Sequence, residues 1–255
     1  FGTAVAVSQH AFAPGVPVAY VAAGGGYPDA MAAGAAGARE GAPVLLTEGN
    51  ALTPATAAEL QRLHPAKIVV LGGPKAVSWT VQTQLWNYAP VARAAGADRY
   101  QTAAALAAMT QHQGTVDTVF LANGLTLADG LTGGAAAGLV GAPLLTTDSG
   151  GLNSWTAAEI KVLNPRHIVV LGGPAVVTQS ALNVMGQLFT ATSYKAYAAV
   201  QGDQPETAPS TPSSPATPTT PTTPTTPTTP TSPTPTTPAA TPTTPRPTGT
   251  AATSG

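Results

Sequence analysis

Residues 68–74 read IVVLGGP, and residues 168–174 read IVVLGGP again, one hundred positions later. Four aliphatic side chains without a polar interruption suit a strand buried on both faces, and the Gly-Gly-Pro that follows stops it in a tight loop. The neighbours recur in the same register. GAPVLLTEGN at 41–50 matches GAPLLTTDSG at 141–150, and Thr56-Ala-Ala-Glu59 matches Thr156-Ala-Ala-Glu159. An α/β unit is therefore written twice.

Working outward, the second copy predicts a helix over 101–112, a strand over 116–122 closed by Asn123-Gly124, and a helix from Asp129 to Val140. A strand at 144–147 follows, then a helix entered at Asn153 or Ser154, with Thr156 and Glu159 as a T-x-x-E capping box. The IVVL strand comes next. A last helix carries Val177, Ala181, Leu182, Met185, Leu188 and Phe189 at helical spacing. In the first copy the equivalents are strands at 18–22, 44–47 and 68–71 and a helix over 29–40, with a further helix starting at Thr53-Pro54. The expected fold class is α/β, with tandem units that each hold a small three-stranded parallel sheet flanked by helices on both faces. The division expected is one repeat over 1–92, cut short at its start, a second over 93–194, and a Pro/Thr-rich spacer over 195–255.

That last segment contains PTT triplets from Pro221 to Pro230 and few apolar side chains large enough to build a core, so it is expected to be disordered and extended. Ten basic and eleven acidic residues give a net charge of −1, which argues against a nucleic-acid partner dependent on a dense Lys/Arg field. No apolar stretch reaches eighteen residues, so no membrane span is expected, and the opening FGTAVAVSQHAFAPG reads as neither anchor nor signal peptide. Cysteine is absent, which removes disulfides and thiolate chemistry.

Catalytic machinery is not legible. His10, His64, His112 and His167 fall at segment boundaries without a metal-binding spacing, no G-x-S-x-G elbow occurs, and no metal site or cofactor is expected. Asp29 and Asp129 read as residues that favour a helix N-terminus rather than as acid–base groups. Glu48 and Asp148 read as loop charges, with cation binding as the alternative. Gly72, Gly73, Gly172 and Gly173 read as exit turns first and as an anion cradle second, because ligands of open α/β sheets gather at that edge. Lys75 follows the first loop where Ala175 follows the second. Asp98 and Arg99 read as an ion pair or inter-repeat contact that could also touch ligand, and Tyr100 as a packing residue.

Taken together, RAAGADRYQTA at 93–103, VFLANG at 119–124, LADGL at 127–131, GAPLLT at 141–146 and IVVLGGPAVV at 168–177 resemble the bacterial cell wall-binding repeat type 2 of Gram-positive surface proteins. The resemblance covers about residues 1–190. It implies Toprim-like or Rossmann-like units grouped in pseudo-threefold sets, so that a third, upstream repeat is expected. It also implies a non-catalytic, extracellular anchor that binds an anionic cell wall polysaccharide or teichoic-acid-like polymer. The family's I-L-L segment, implicated in retention, falls on Val44-Leu45-Leu46 and on Leu144-Leu145-Thr146, the second copy departing at Thr146. The alternative is an accessory region of an amidase-type wall hydrolase whose catalytic domain lies elsewhere.

Overall fold

A computed structural model describes residues 1–111 and 116–188. The expectations for His112, for Phe189 and for the Pro/Thr segment lie outside those residues. The described elements run α1 (Gly2–Ala11), β1 (Ala19–Ala23), α2 (Tyr27–Glu40), β2 (Val44–Thr47), α3 (Pro54–Leu63), β3 (Ile68–Leu71), α4 (Trp79–Leu85), β4 (Val91–Ala94), α5 (Arg99–Thr110), β5 (Thr118–Asn123), α6 (Ala128–Leu139), β6 (Leu144–Thr147), α7 (Ser154–Leu163), β7 (His167–Val170) and α8 (Gln179–Leu188).

All strand pairs are parallel. One sheet has the order β2-β1-β3-β4 and the other β6-β5-β7. The two are in equivalent register, Tyr20 facing Val44 in the first and Phe120 facing Leu144 in the second. The expectation of three strands per unit holds for the second sheet and fails for the first, where β4 pairs with β3 from Ile68–Val91 to Leu71–Ala94. VARA is too short and too polar to announce a strand. It forms because it lies along the open edge of β3, which would otherwise leave unpaired backbone groups. The boundary drawn at 92/93 consequently falls inside a strand.

The IVVL motif shows why a continuous apolar run is needed. Ile68 and Val70 point into a core with α1, α3 and α4, while Val69 and Leu71 point the other way, into a core with α2 and α5. All four are at most 1% exposed, and each such burial contributes about 1.5–3 kcal/mol. In the second sheet, Val119 and Leu121 join α5, α7 and α8, whereas Phe120 and Ala122 meet α6 and also Met31 and Ala35 of α2. α2 and α5 thus serve both sheets. The direct contact of α2 with its counterpart α6 is made by small residues: a Cβ on Gly130 would collide with the Met31 side chain, and one on Gly138 with Ala38.

Two smaller expectations change. Thr56 and Thr156 are not N-caps. Each lies inside its helix and donates its hydroxyl to a carbonyl of the preceding strand, Thr56 to Leu46 and Thr156 to Thr146, both at 2.6 Å. Thr53 and Asn153 hold the N-cap positions, and Asn153 accepts from the Trp155 amide. The T-x-x-E pattern therefore marks a helix-to-strand tie, not a capping box. Asp29 and Asp129 do stand in the first turns of α2 and α6, but the cap positions belong to Gly26 and Leu127.

Candidate functional site

In the first sheet the chain moves from β1 to β2 on one side and then crosses to β3 on the other, so the loops leaving β1 and β3 diverge. A crevice opens at such a switch point, outside the carboxyl ends of the strands. Here it is a groove of about 540 Å³, walled by Gly26, Pro28 and Asp29 after β1, by Gly73–Ala76 after β3, and by Gly96–Arg99 and Thr102 after β4. The first turns of α2 and α5 both reach it.

Of the expected site residues, Gly73, Lys75, Asp98 and Arg99 meet at this groove. Lys75 is exposed and makes no ion pair among the described residues. Asp98 and Arg99 do not pair with each other. Asp98 caps α5, accepting the Gln101 amide at 2.8 Å, and Arg99 donates Nη1 to the Gly124 carbonyl at 2.8 Å. Residues competing for a helix amide and a strand-end carbonyl are already satisfied in different directions, which is why adjacency in sequence does not become an ion pair. Tyr100 packs as expected: a Cβ on Gly124 would lie 2.8 Å from its ring.

Gly72 lies just behind the groove. Its φ of +87° is the left-handed region, and any Cβ there would collide with the Asp29 carboxylate. Gly172 repeats the arrangement with φ +100° and Asp129 Oδ2 at 2.7 Å from a Cβ position. Burial holds the Asp29 carboxyl above the usual carboxylate range, while the Thr102 hydroxyl and the Arg99 guanidinium pull it back. Arg93, from the unforeseen β4, donates Nη1 to the Gly72 carbonyl at 2.6 Å and Nε to Gln82 Oε1 at 2.7 Å. Its guanidinium sits 4.9 Å over the Trp79 ring. No role for Arg93 is legible in the sequence, since its function depends on the β3–β4 pairing that no local pattern announces.

The remaining expected residues are placed elsewhere. Leu45, Leu144 and Leu145 are 0–1% exposed, and Val44 and Leu46 are half-buried on β2. The side chains of Leu45, Leu144 and Leu145 have no surface to offer a polymer; they hold the strands in place. Gly172 and Gly173 are exposed, with Ala175 where Lys75 stands in the first copy. Asp148 Oδ1 accepts the Gly150 and Gly151 amides at 3.0 and 2.9 Å, so its carboxylate closes its own loop. Among the described residues no group of three His, Cys, Asp or Glu could hold a metal ion, and no helix is long and apolar enough to cross a membrane.

Duplicated parallel α/β units carrying a loop-lined groove, with Asp98, Arg99 and Arg93 engaged in holding loops and helix starts and Lys75 left exposed, define a repeat-built binding module. The chain belongs to the cell wall binding domain 2 (CWB2) family, whose model matches residues 1–82 and 93–182. It is accordingly a cell wall-binding module of the secreted, wall-facing kind found in Gram-positive bacteria. It is similar to the N-acetylmuramoyl-L-alanine amidase LytC of Bacillus subtilis, 29% identical over 184 residues, or 72% of this chain and 36% of that protein. It is also similar to the amidase enhancer of the same organism, 27% identical over 142 residues, or 56% of this chain and 19% of that protein. The chain thus spans about a third or less of either relative. Among solved structures, Cwp6 from Clostridium difficile matches with a TM-score of 0.68 at 22% identity, over 73% of this chain and 30% of that one. Cwp8 from the same organism matches with a TM-score of 0.61 at 24% identity, over 73% and 32%. At those identities the likeness is one of fold.

Proposed function

We propose that the module anchors its protein by binding an anionic wall polysaccharide or teichoic-acid-like polymer along the groove at the switch point of the first sheet. The observation that carries this is the meeting there of Lys75, Arg99, the Gly73 loop and the first turns of α2 and α5. Amides at helix starts and an unpaired ammonium suit an anion, and a backbone-rich site explains how a chain with so few basic residues could hold one. Single contacts of this kind are weak, and tandem copies supply avidity.

The test is co-sedimentation with purified walls before and after extraction of their anionic polymers. Retention should fall on extracted walls. Lys75→Ala should lower retention about twofold to fivefold, the range of an exposed ionic contact, and Ala175→Lys should raise it. Equal retention on both wall preparations would sink the proposal.

A second reading, that the module serves a wall hydrolase, is favoured by the alignment with the amidase LytC over 184 residues. Each unit is read as Toprim-like, in keeping with its central β1 or β5 flanked by parallel neighbours. A third repeat completing a pseudo-threefold set is supported by the faces left over. α2 offers Met31, Ala35 and Ala38 to α6, which receives them on Gly130, Gly134 and Gly138. The counterparts of the offering face on α6, Leu131 and Ala135, are exposed, and so is Gly34 on the receiving face of α2. A further unit would fit between them.

A further inference from the structure

α3 and α7 carry the same glutamate, and the two copies solve its burial differently. Glu59 is 1% exposed. Its Oε1 accepts the Ser8 hydroxyl at 2.6 Å and Arg62 Nη2 at 2.6 Å, and its Oε2 accepts Arg62 Nε at 2.9 Å. The guanidinium reaches it from three residues further along the same helix. In the second copy the arginine position is Val162, and α5 presents Ala107 where α1 presents Ser8. Glu159 is nevertheless retained at 9% exposure, and its Oε1 is buried with no hydrogen-bond partner among the described residues.

The carboxyl is not sealed in. It lines a groove of about 230 Å³ between α5 and α7, otherwise formed chiefly by alanines, with Trp155 along one side. Trp155 is 45% exposed and Val162 57% exposed. Among the described residues no other ionisable side chain lines the groove. A lone buried carboxyl beside an indole face is the complement of a planar cation, which can bond the carboxylate with two parallel N–H groups and stack on the ring. The first copy shows the same carboxylate position accepting two N–H groups of a guanidinium, from Arg62 of the same helix.

We propose that the α5–α7 groove binds an alkylguanidinium group, the head of an arginine side chain supplied from outside the repeat, with its cation on Glu159 and its stem along Trp155. The ligand takes the place that Arg62 fills in the first copy. Burial raises the Glu159 carboxyl above the usual range, so an incoming cation would recover the cost of ionising it. The site is separate from the groove at the first sheet, so its success or failure leaves the polymer proposal untouched.

The chain has three tryptophans, so Trp79→Phe with Trp86→Phe leaves Trp155 as the only indole reporter. That protein is titrated with n-butylguanidinium chloride at neutral pH and constant ionic strength, and Trp155 emission is followed. A saturable change is expected, at least tenfold weaker after Glu159→Gln. Val162→Arg supplies the missing guanidinium internally and should abolish the response while keeping the thermal transition at or above that of the parent. Equal isotherms before and after Glu159→Gln would overturn the assignment. Undiminished binding by the Val162→Arg protein would do the same, as would binding of n-butanol or n-butylammonium as tight as that of n-butylguanidinium.

Discussion

Replacing Gly72 by alanine tests the central claim about the GGP loop, that its first glycine is required by conformation and by the Asp29 carboxylate together. At φ +87° an L-residue costs about 1–2 kcal/mol relative to glycine. The methyl group would collide with the carboxylate and come within 3.0 Å of the Ala76 Cβ. Displacing the Asp29 carboxylate also weakens its polar interactions with Thr102 and Arg99, roughly 1 kcal/mol more. The expected loss is about 2–3 kcal/mol, or a drop of about 4–12 °C in Tm for a folded unit of this size. Gly172→Ala should cost only the backbone part, about 1–2 kcal/mol, because its loop is exposed and the carboxylate stands further off. Gly73→Ala, with no positive φ and nothing nearer than the Gly96 carbonyl at 3.9 Å, should be nearly silent. Calorimetric melts of the three variants give the ranking. Repeating Gly72→Ala in an Asp29→Ala background should reduce its cost to that of Gly172→Ala. Strict additivity of the two substitutions, or a larger loss from Gly172→Ala, would refute the reasoning.

The two glutamates should respond to pH with opposite sign. Glu59 is held below the usual range by the Arg62 hydrogen bonds, against burial and with help from Ser8. Its advantage over Glu59→Gln should therefore be present above the ordinary glutamate pKa and disappear as pH falls through the lowered value. Glu159, raised by burial, should match Glu159→Gln in acid and lose stability relative to it as pH rises through the raised value. Urea melts from pH 3 to 8 check both, and parallel profiles would contradict the contrast. At the α2–α6 contact, Gly138→Ala should destabilise by about 1–3 kcal/mol because its methyl meets Ala38. Gly34→Ala, facing open space within a helix, should stabilise by about 0.5–1 kcal/mol in the same melts. Leu145→Ala should cost about 2–5 kcal/mol yet leave wall retention unchanged at temperatures where the protein stays folded, since the side chain is 0% exposed.

Legibility followed the local strength of the signal. IVVL and VLLT or LLTT were readable because strands buried on both faces must be apolar throughout, and the edges of β2, β3 and β6 fall where expected. Repetition carried the rest of the order from one copy to the other. β4 was hidden because a four-residue edge strand is recruited by its neighbour and needs no pattern of its own. The Thr/Glu spacing imitated a capping box because one hydroxyl three residues before one carboxyl is also what a helix-to-strand tie and a buried ion pair produce. Lys75, Asp98 and Arg99 were legible as candidates, but their convergence depends on β4 delivering residues 96–99 beside the β3 loop. Glu159 was legible only as a copy of Glu59 and as a capping-box member, since its isolation comes from what Val162 and Ala107 lack.

The strand that straddles the sequence boundary has a consequence for how such genes can gain or lose copies. A crossover that joins residue 92 of one copy to the start of another cuts β4 and leaves β3 with half an edge partner. A crossover within IVVLGGP that gains a copy joins Pro174 to Lys75, keeps β5, β6 and β7 in one sheet, and follows β7 with α4 and an uncut β4. Unequal recombination is thus tolerated at the motif and penalised at the apparent border, so the recombining unit runs from loop to loop and is offset from the unit that an alignment of the two copies displays.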